Sequence, residues 1–361
     1  MQLQKIAEQF DIVGEATRVE PCGQGHINST YLVSTDSKYG FFNYILQKVN
    51  TDIFQDIDGL MNNIFAVTEY ISKKVAGGQE NCRTLNFVRA RSGDKYYRDS
   101  NGDVYRMYVY LSNVASIQIA ENTQHLYLAG KGFGQFQRLL NGFKAESLSD
   151  TIKDFHNTPK RYKDFVEAVN CDAVGRLSTC REEVDFYLSR QSYASRVTDL
   201  LASGKIPLRV THNDTKINNV LIDIFDNYPV AVIDLDTVMS GSILYDFGDS
   251  IRSGTNIGAE DEADLDKVGF SIDLFSAYAK GFMSEVSEIL TSAEVDNLAF
   301  SGILLTYECG MRFLGDYLNG DKYFKTHREG HNLDRARTQI KMISDMEQQL
   351  PDMEKIIKSV L

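Results

Sequence analysis

The chain has no run of clustered Lys and Arg, and its formal net charge is −12. A surface built to hold nucleic acid needs such clusters, so nucleic acid is not an expected partner. No stretch of about 18 uncharged apolar residues is present to span a bilayer, so no membrane partner is expected. The opening MQLQKIAEQFDIV lacks the basic, apolar and small-residue regions of a secretion signal. None of the five cysteines (Cys22, Cys82, Cys171, Cys180 and Cys309) forms a CxxC pair, and their number is odd. Reduced thiols in a cytoplasmic protein are therefore expected, and with six histidines at no ligand spacing a zinc site is not. Tryptophan is absent, which decides nothing. Internal repeats and low-complexity tracts are absent too.

What is present describes an ordinary globular protein, 43% hydrophobic and 24% charged. At 361 residues the chain is too long for one growing core, so a bilobal unit or two domains are expected. Leu3, Ile6, Ala7 and Phe10 share one face of a short helix. Residues 16–20, 29–34 and 41–49 read as strands, the first two joined by the turn Gly23-x-Gly25-His26-Ile27-Asn28. Such a turn lets backbone N–H groups approach phosphate oxygens, though an ordinary hairpin has the same pattern. In the third strand Tyr44, Leu46 and Lys48 alternate with Ile45 and Gln47. The register leaves both Gln47 and Lys48 open as the residue that reaches phosphate.

Ile57, Leu60, Met61, Ile64, Val67 and Ile71 recur at helical spacing over residues 56–75. Glu69 on this helix either pairs with a strand lysine or faces solvent. Further strands are predicted at 83–91, 95–99 and 104–110, and after Leu111 the pattern turns to long helices around 125–141, 173–189 and most of 262–361. The expected architecture is α+β: a small antiparallel N-terminal lobe with one main helix (1–112) and a larger, mostly helical C-terminal lobe (113–361). A cleft between them is a natural nucleotide site. Backbone groups of Tyr110 and Leu111 in the crossing segment 110–113 would read adenine.

The chemistry concentrates in VTHNDTKINNVLID and AVIDLDTVMSGSILYDFGDSIR. His212-x-Asp214 is followed after four residues by Asn219, and Asp234 comes twenty residues after Asp214. A base, then an Asn metal ligand, then a carboxylate ligand on the next hairpin is the arrangement used in phosphoryl transfer to a hydroxyl. An isolated Asp in this sequence would read as a turn residue; the repeated interval argues otherwise. Asp214 is the expected base, and Asn219 and Asp234 the expected Mg2+ ligands. Asp236 is either a surface carboxylate or a further group at metal or acceptor. A literal Asp246-Phe-Gly248 lies thirty-two residues beyond Asp214, too far for the metal hairpin. It is expected to hold the catalytic loop or to cap a helix starting near Asp249.

The pattern HNDTKINNVLID…VIDLDT…YDFGDSIR resembles the aminoglycoside phosphotransferase and choline kinase family of protein-kinase-like folds. More closely, it resembles the N-acetylhexosamine 1-kinases. The likeness extends over Gly25-His-Ile-Asn-Ser-Thr-Tyr31, Tyr44-Ile-Leu-Gln47, Asp154-Phe-His-Asn-Thr-Pro159 and Pro207-Leu-Arg-Val-Thr-His-Asn-Asp214. It continues through Glu308-Cys-Gly-Met-Arg-Phe-Leu314, Asp321-Lys-Tyr-Phe324, His331-Asn-Leu333 and Arg337-Thr-Gln-Ile-Lys341. The resemblance implies ATP- and Mg-dependent phosphorylation of the anomeric hydroxyl of GlcNAc or GalNAc. It implies Asp214 as base, Asp234 as metal and phosphate carboxylate, and Arg312, Tyr323 and His26 at the sugar. Gln47 stands where such kinases usually carry lysine. Another acceptor, such as a different hexose, an amino alcohol or an aminoglycoside, is the alternative, and a non-catalytic nucleotide-binding module a more remote one. A monomer or weak homo-oligomer is expected.

Overall fold

The computed structural model describes residues 2–23, 27–78 and 82–361; Gly25 and His26 lie outside the described residues. In chain order the helices are α1 (Gln2–Ala7), α2 (Ile57–Val75), α3 (Thr123–Leu140), α4 (Thr158–Cys171) and α5 (Arg181–Leu188). They continue with α6 (Arg196–Ala202), α7 (Ile243–Gly254), α8 (Ile272–Val286), α9 (Ser292–Leu318) and α10 (His331–Ser359). The strands are β1 (Glu15–Pro21), β2 (Ser29–Ser37), β3 (Gly40–Val49), β4 (Phe87–Val88), β5 (Tyr97–Arg98) and β6 (Val104–Val109). Short strands follow at β7 (Val114–Ser116), β8 (Arg209–Thr211), β9 (Val220–Asp223), β10 (Pro229–Val232) and β11 (Met239–Gly241). Among the described residues no helix is long and apolar enough to cross a membrane.

The chain divides into two compact units. The first comprises Met1–Ala115, Ser147–Ile152 and Leu221–Met239. Its main sheet runs β1-β2-β3-β6-β4, with β5 also paired to β6, and its pairings are antiparallel. Alternation sends Val33, Tyr44, Leu46, Tyr105 and Met107 to one face, where Ile6, Ala7, Phe10 and Ile12 cover them. The α2 helix packs on the other face through Phe65, whose ring meets Phe87 at 5.7 Å. Asp56 caps α2 by accepting from Gly59 N–H at 2.8 Å, and Gly78, at φ +73°, follows its end. Buried Asn63 joins the two later segments to this unit. It exchanges bonds with Ser149 (2.8 and 2.9 Å) and donates to the Val238 carbonyl at 2.9 Å.

The second unit comprises Ser116–Glu146, Lys153–Val220 and Ser240–Leu361. At its centre α9 is buried along most of its 27 residues. Helices α3 and α8 approach closely because their contact is made by glycines. A Cβ on Gly281 would run into the Tyr127 carbonyl, and one on Gly134 would lie 2.7 Å from the Phe282 carbonyl. Gly281→Ala is expected to destabilise the protein by about 1–3 kcal/mol through overpacking. Urea unfolding should show this as a lower midpoint at unchanged slope.

Some sequence expectations need correction. The strand predicted over 83–91 shrinks to Phe87–Val88, because the Arg83 N–H turns instead to the Val230 carbonyl at 2.7 Å. The helix predicted around 173–189 is broken: α4 ends at Cys171, Asp172 and Gly175 take positive φ, and α5 starts only at Arg181. Glu69 pairs with Arg89 at 3.7 Å, not with a strand lysine, and both side chains are exposed. That contact is worth little.

Candidate active site

The loop carrying Asp214 is held from beneath by α7. Ser242 caps that helix, which therefore starts at Ile243 and not near Asp249, so Asp246 falls in its first turn and Asp249 one turn later. Asp246 accepts the backbone N–H groups of His212 (2.9 Å) and Asn213 (2.8 Å) and the amide of Gln137 (2.6 Å). Its burial pushes the carboxyl upward from its ordinary pKa, and the three donors oppose that shift. Asp249 accepts Thr215 N–H at 3.0 Å, and the Thr215 hydroxyl donates to the Asp246 carbonyl at 2.7 Å. The literal Asp-Phe-Gly is therefore scaffold: its Asp fixes the loop's backbone. Asn213 adopts φ +65°, a conformation a non-glycine residue keeps only where its surroundings hold it.

So fixed, Asp214 is half-buried, and its carboxylate sits 3.2 Å from the Lys216 ammonium. Asn219 donates its side-chain N–H to the Asp214 carbonyl at 2.9 Å, which turns its amide oxygen the other way. Asp214 lines a cavity of about 330 Å³ within the second unit. Four carboxylates line it, Asp214, Asp249, Glu260 and Glu308, against five cations, Lys216, Arg252, Arg312, Lys325 and Arg335. Most of the acids are paired within the wall. Arg252 bonds Asp249 (2.9 Å) and Glu260 (2.7 Å), and Glu308 takes His156 (2.8 Å) and the Thr158 hydroxyl (2.5 Å). Burial works against ionisation of Glu308, but His156, Thr158 and Arg312 together hold its carboxyl below the ordinary range.

Arg312 lines the same cavity, so the structure brings it together with Asp214. Its guanidinium lies 5.6 Å from the Tyr323 ring centre and 5.4 Å from that of Phe324, and it reaches the Tyr323 hydroxyl at 3.4 Å. Asp316 presents this segment by accepting the N–H groups of Lys322, Tyr323 and Phe324, each at 2.9 Å. Tyr323 itself is 73% exposed, and Phe324 is the aromatic ring of that pair in the cavity wall.

In the first unit the register of the sheet separates Gln47 from Lys48. Thr30, Gln47 and Arg106 stand opposite one another on β2, β3 and β6, so they share a face. Gln47 donates to the Thr30 hydroxyl at 3.2 Å and accepts from Arg106 Nε at 2.9 Å. Arg106 is buried and forms an ion pair with buried Asp236. Burial would lower the guanidinium's pKa, but Asp236 more than reverses this. Asn28 donates to the other oxygen of Asp236 at 2.6 Å and accepts Asn50 N–H at 2.9 Å. Lys48 points the opposite way and pairs with Asp103 at 2.6 Å, outside this network.

Asp236 is thus not at the surface; one of its oxygens accepts from Arg106 and the other from Asn28. Asp234, two residues before it, adopts φ +61°, and its charge acts on Arg106 and Tyr108. Gly23 takes φ +83° with open space where a Cβ would be. The Tyr110 N–H is occupied by the Asn43 carbonyl at 3.0 Å, while Leu111 is partly buried. Sequence reasoning missed Arg106, although an arginine inside the strand Val-Tyr-Arg-Met-Tyr-Val was a signal. It also assigned no role to His156 or Glu308, which no local spacing marks.

Comparison with known proteins agrees with this architecture. An aminoglycoside phosphotransferase from Alicyclobacillus acidocaldarius subsp. acidocaldarius DSM 446 superposes with a TM-score of 0.64 at 13% identity, covering 99% of this chain and 96% of that one. A microcompartment-associated aminopropanol kinase gives 0.62 at 15%, covering 98% of each chain. A choline kinase from Cryptosporidium parvum Iowa II gives 0.56 at 14%, covering 95% and 91%. At these identities the likeness is one of fold. The sequence itself matches the APH phosphotransferase enzyme family over residues 18–277, and to that family the chain belongs.

Proposed function

We propose that the protein transfers the γ-phosphoryl group of ATP to the anomeric hydroxyl of an N-acetylhexosamine, with Mg2+, to give the α-1-phosphate. The observation that carries this reading is that Asp214 and Arg312 line one cavity whose acids are largely hydrogen-bonded within its own wall and are outnumbered there by Lys and Arg, four to five. Such a wall suits a neutral, hydroxyl-rich acceptor better than a cationic one.

In this reading Asp214 takes the proton of the attacking hydroxyl. The oxygen bonds to the γ-phosphorus as the bond to the ADP oxygen breaks. Arg312 offers fixed donors to sugar oxygens, with the rings of Tyr323 and Phe324 beside it. Asn219 supplies an amide oxygen and Asp234 a carboxylate, the hard donors Mg2+ prefers. That ion supplies charge neutralisation on the phosphate oxygens. Gly23, Gln47, Tyr110 and Leu111 are assigned to the nucleotide, while Arg106, Asp236 and Asn28 hold the short turn that starts at Asp234.

The test is ADP release with Mg-ATP and a panel of free sugars, amino alcohols and aminoglycosides. Turnover with GlcNAc or GalNAc is expected, and methylation of the anomeric oxygen should abolish it. Turnover confined to an amino alcohol or an aminoglycoside would refute the sugar assignment and leave the phosphotransferase intact.

A further inference from the structure

We propose that His156 is a specificity-determining contact, whose Nε2 hydrogen-bonds a non-reacting hydroxyl of the acceptor. The inference rests on the reading above, in which Asp214 handles the reacting hydroxyl in the same cavity.

His156 lines that cavity, yet its side chain is only 9% exposed. Its Nδ1 meets Glu308 at 2.8 Å, and Glu308 is itself 2% exposed and anchored by the Thr158 hydroxyl at 2.5 Å. The imidazole is further fixed by Phe155, edge-on at 4.7 Å between ring centres, and by Tyr245 at 4.9 Å. Its other nitrogen, Nε2, is buried and has no hydrogen-bond partner among the described residues. Buried polar atoms are nearly always satisfied, so an orphan nitrogen on a rigidly held ring in a cavity wall indicates a group that arrives with the ligand.

The wall also decides which nitrogen is left for that bond. Glu308 is held as a carboxylate, so it accepts, and Nδ1 carries the ring proton. That leaves Nε2 for the ligand. A hydroxyl suits it because it can both donate and accept, and each non-reacting hydroxyl of a sugar supplies one. Neither Asp214 nor Arg312 duplicates this: the first removes a proton, and the second can only donate.

Two variants test the proposal. His156→Asn keeps a donor near the position of Nδ1, facing Glu308, and removes Nε2; His156→Gln restores a polar group near the position of Nε2. With His156→Asn the acceptor KM should rise about 10-fold or more while the KM for ATP and the thermal midpoint stay close to those of the unaltered protein. His156→Gln should recover part of the loss. A set of monodeoxy acceptors supplies a readout that a purely structural role would not move. One deoxy position should cost the unaltered protein the same factor, and His156→Asn should no longer discriminate against it. Equal losses for every deoxy acceptor in both proteins, or an unchanged acceptor KM, would overturn the assignment and leave the kinase reading standing. Absence of turnover by the unaltered protein with every acceptor would overturn both.

Discussion

Replacing Asp214 by Asn is expected to lower kcat by about a hundred- to ten-thousand-fold, the usual contribution of a positioned general base. The fold should survive, because the loop's backbone is held by Asp246 and Asp249 and not by the Asp214 side chain. Asn is close in shape to Asp and cannot take a proton, so the variant removes chemistry and keeps volume. ATP binding, followed by calorimetry, should change little. A variant retaining more than about a tenth of the turnover would contradict the role of base. A variant that loses thermal stability as well would indicate that the Lys216 pair at 3.2 Å matters to the fold, contrary to the general weakness of such partly exposed contacts.

Replacing Arg106 by Met should destabilise the protein by about 3–5 kcal/mol, the range for leaving one member of a buried ion pair without its partner. Among the described residues Asp236 would keep only Asn28 as donor, in a site where its side chain is 5% exposed. Gln47 would lose the donor on its amide oxygen. The double variant Arg106→Met with Asp236→Leu should recover most of that stability, since apolar residues of similar volume pack where the ions stood. Recovered stability separates the two effects that Arg106 combines. If the ion pair also positions Asp234, the double variant will fold yet need a much higher Mg2+ concentration for half-maximal activity than the unaltered protein. Full activity at the original Mg2+ concentration would reduce the network to a structural one.

Much of the first unit was legible in its period-two and helical patterns. The strands at β2, β3 and β6 and the helix α2 follow directly from alternation and from recurrence at three and four residues. The interval from Asp214 to Asn219 and on to Asp234 was equally readable, because a local loop and one hairpin fix it. The same logic identified Asp246 as scaffold before any contact was known. Where local pattern gave out, the reason was physical. Alternation places Gln47 and Lys48 on opposite faces but does not say which face meets the turn that follows Asp234. The pairing of β3 with β6 settles it by setting Gln47 against Arg106.

What the sequence determined by itself is a phosphotransferase signature: residue types at intervals that a short stretch of backbone can hold. The tertiary structure decided what surrounds it. Asp236 looked like a surface group or a ligand and became half of a buried pair, because its partner lies 130 residues away on another strand. His156 and Glu308, 152 residues apart, had no chemistry to read until packing joined them beside Asp214. Spacing along a chain carries information only over the length of one turn or hairpin, and beyond that the burial of side chains decides which polar groups must meet.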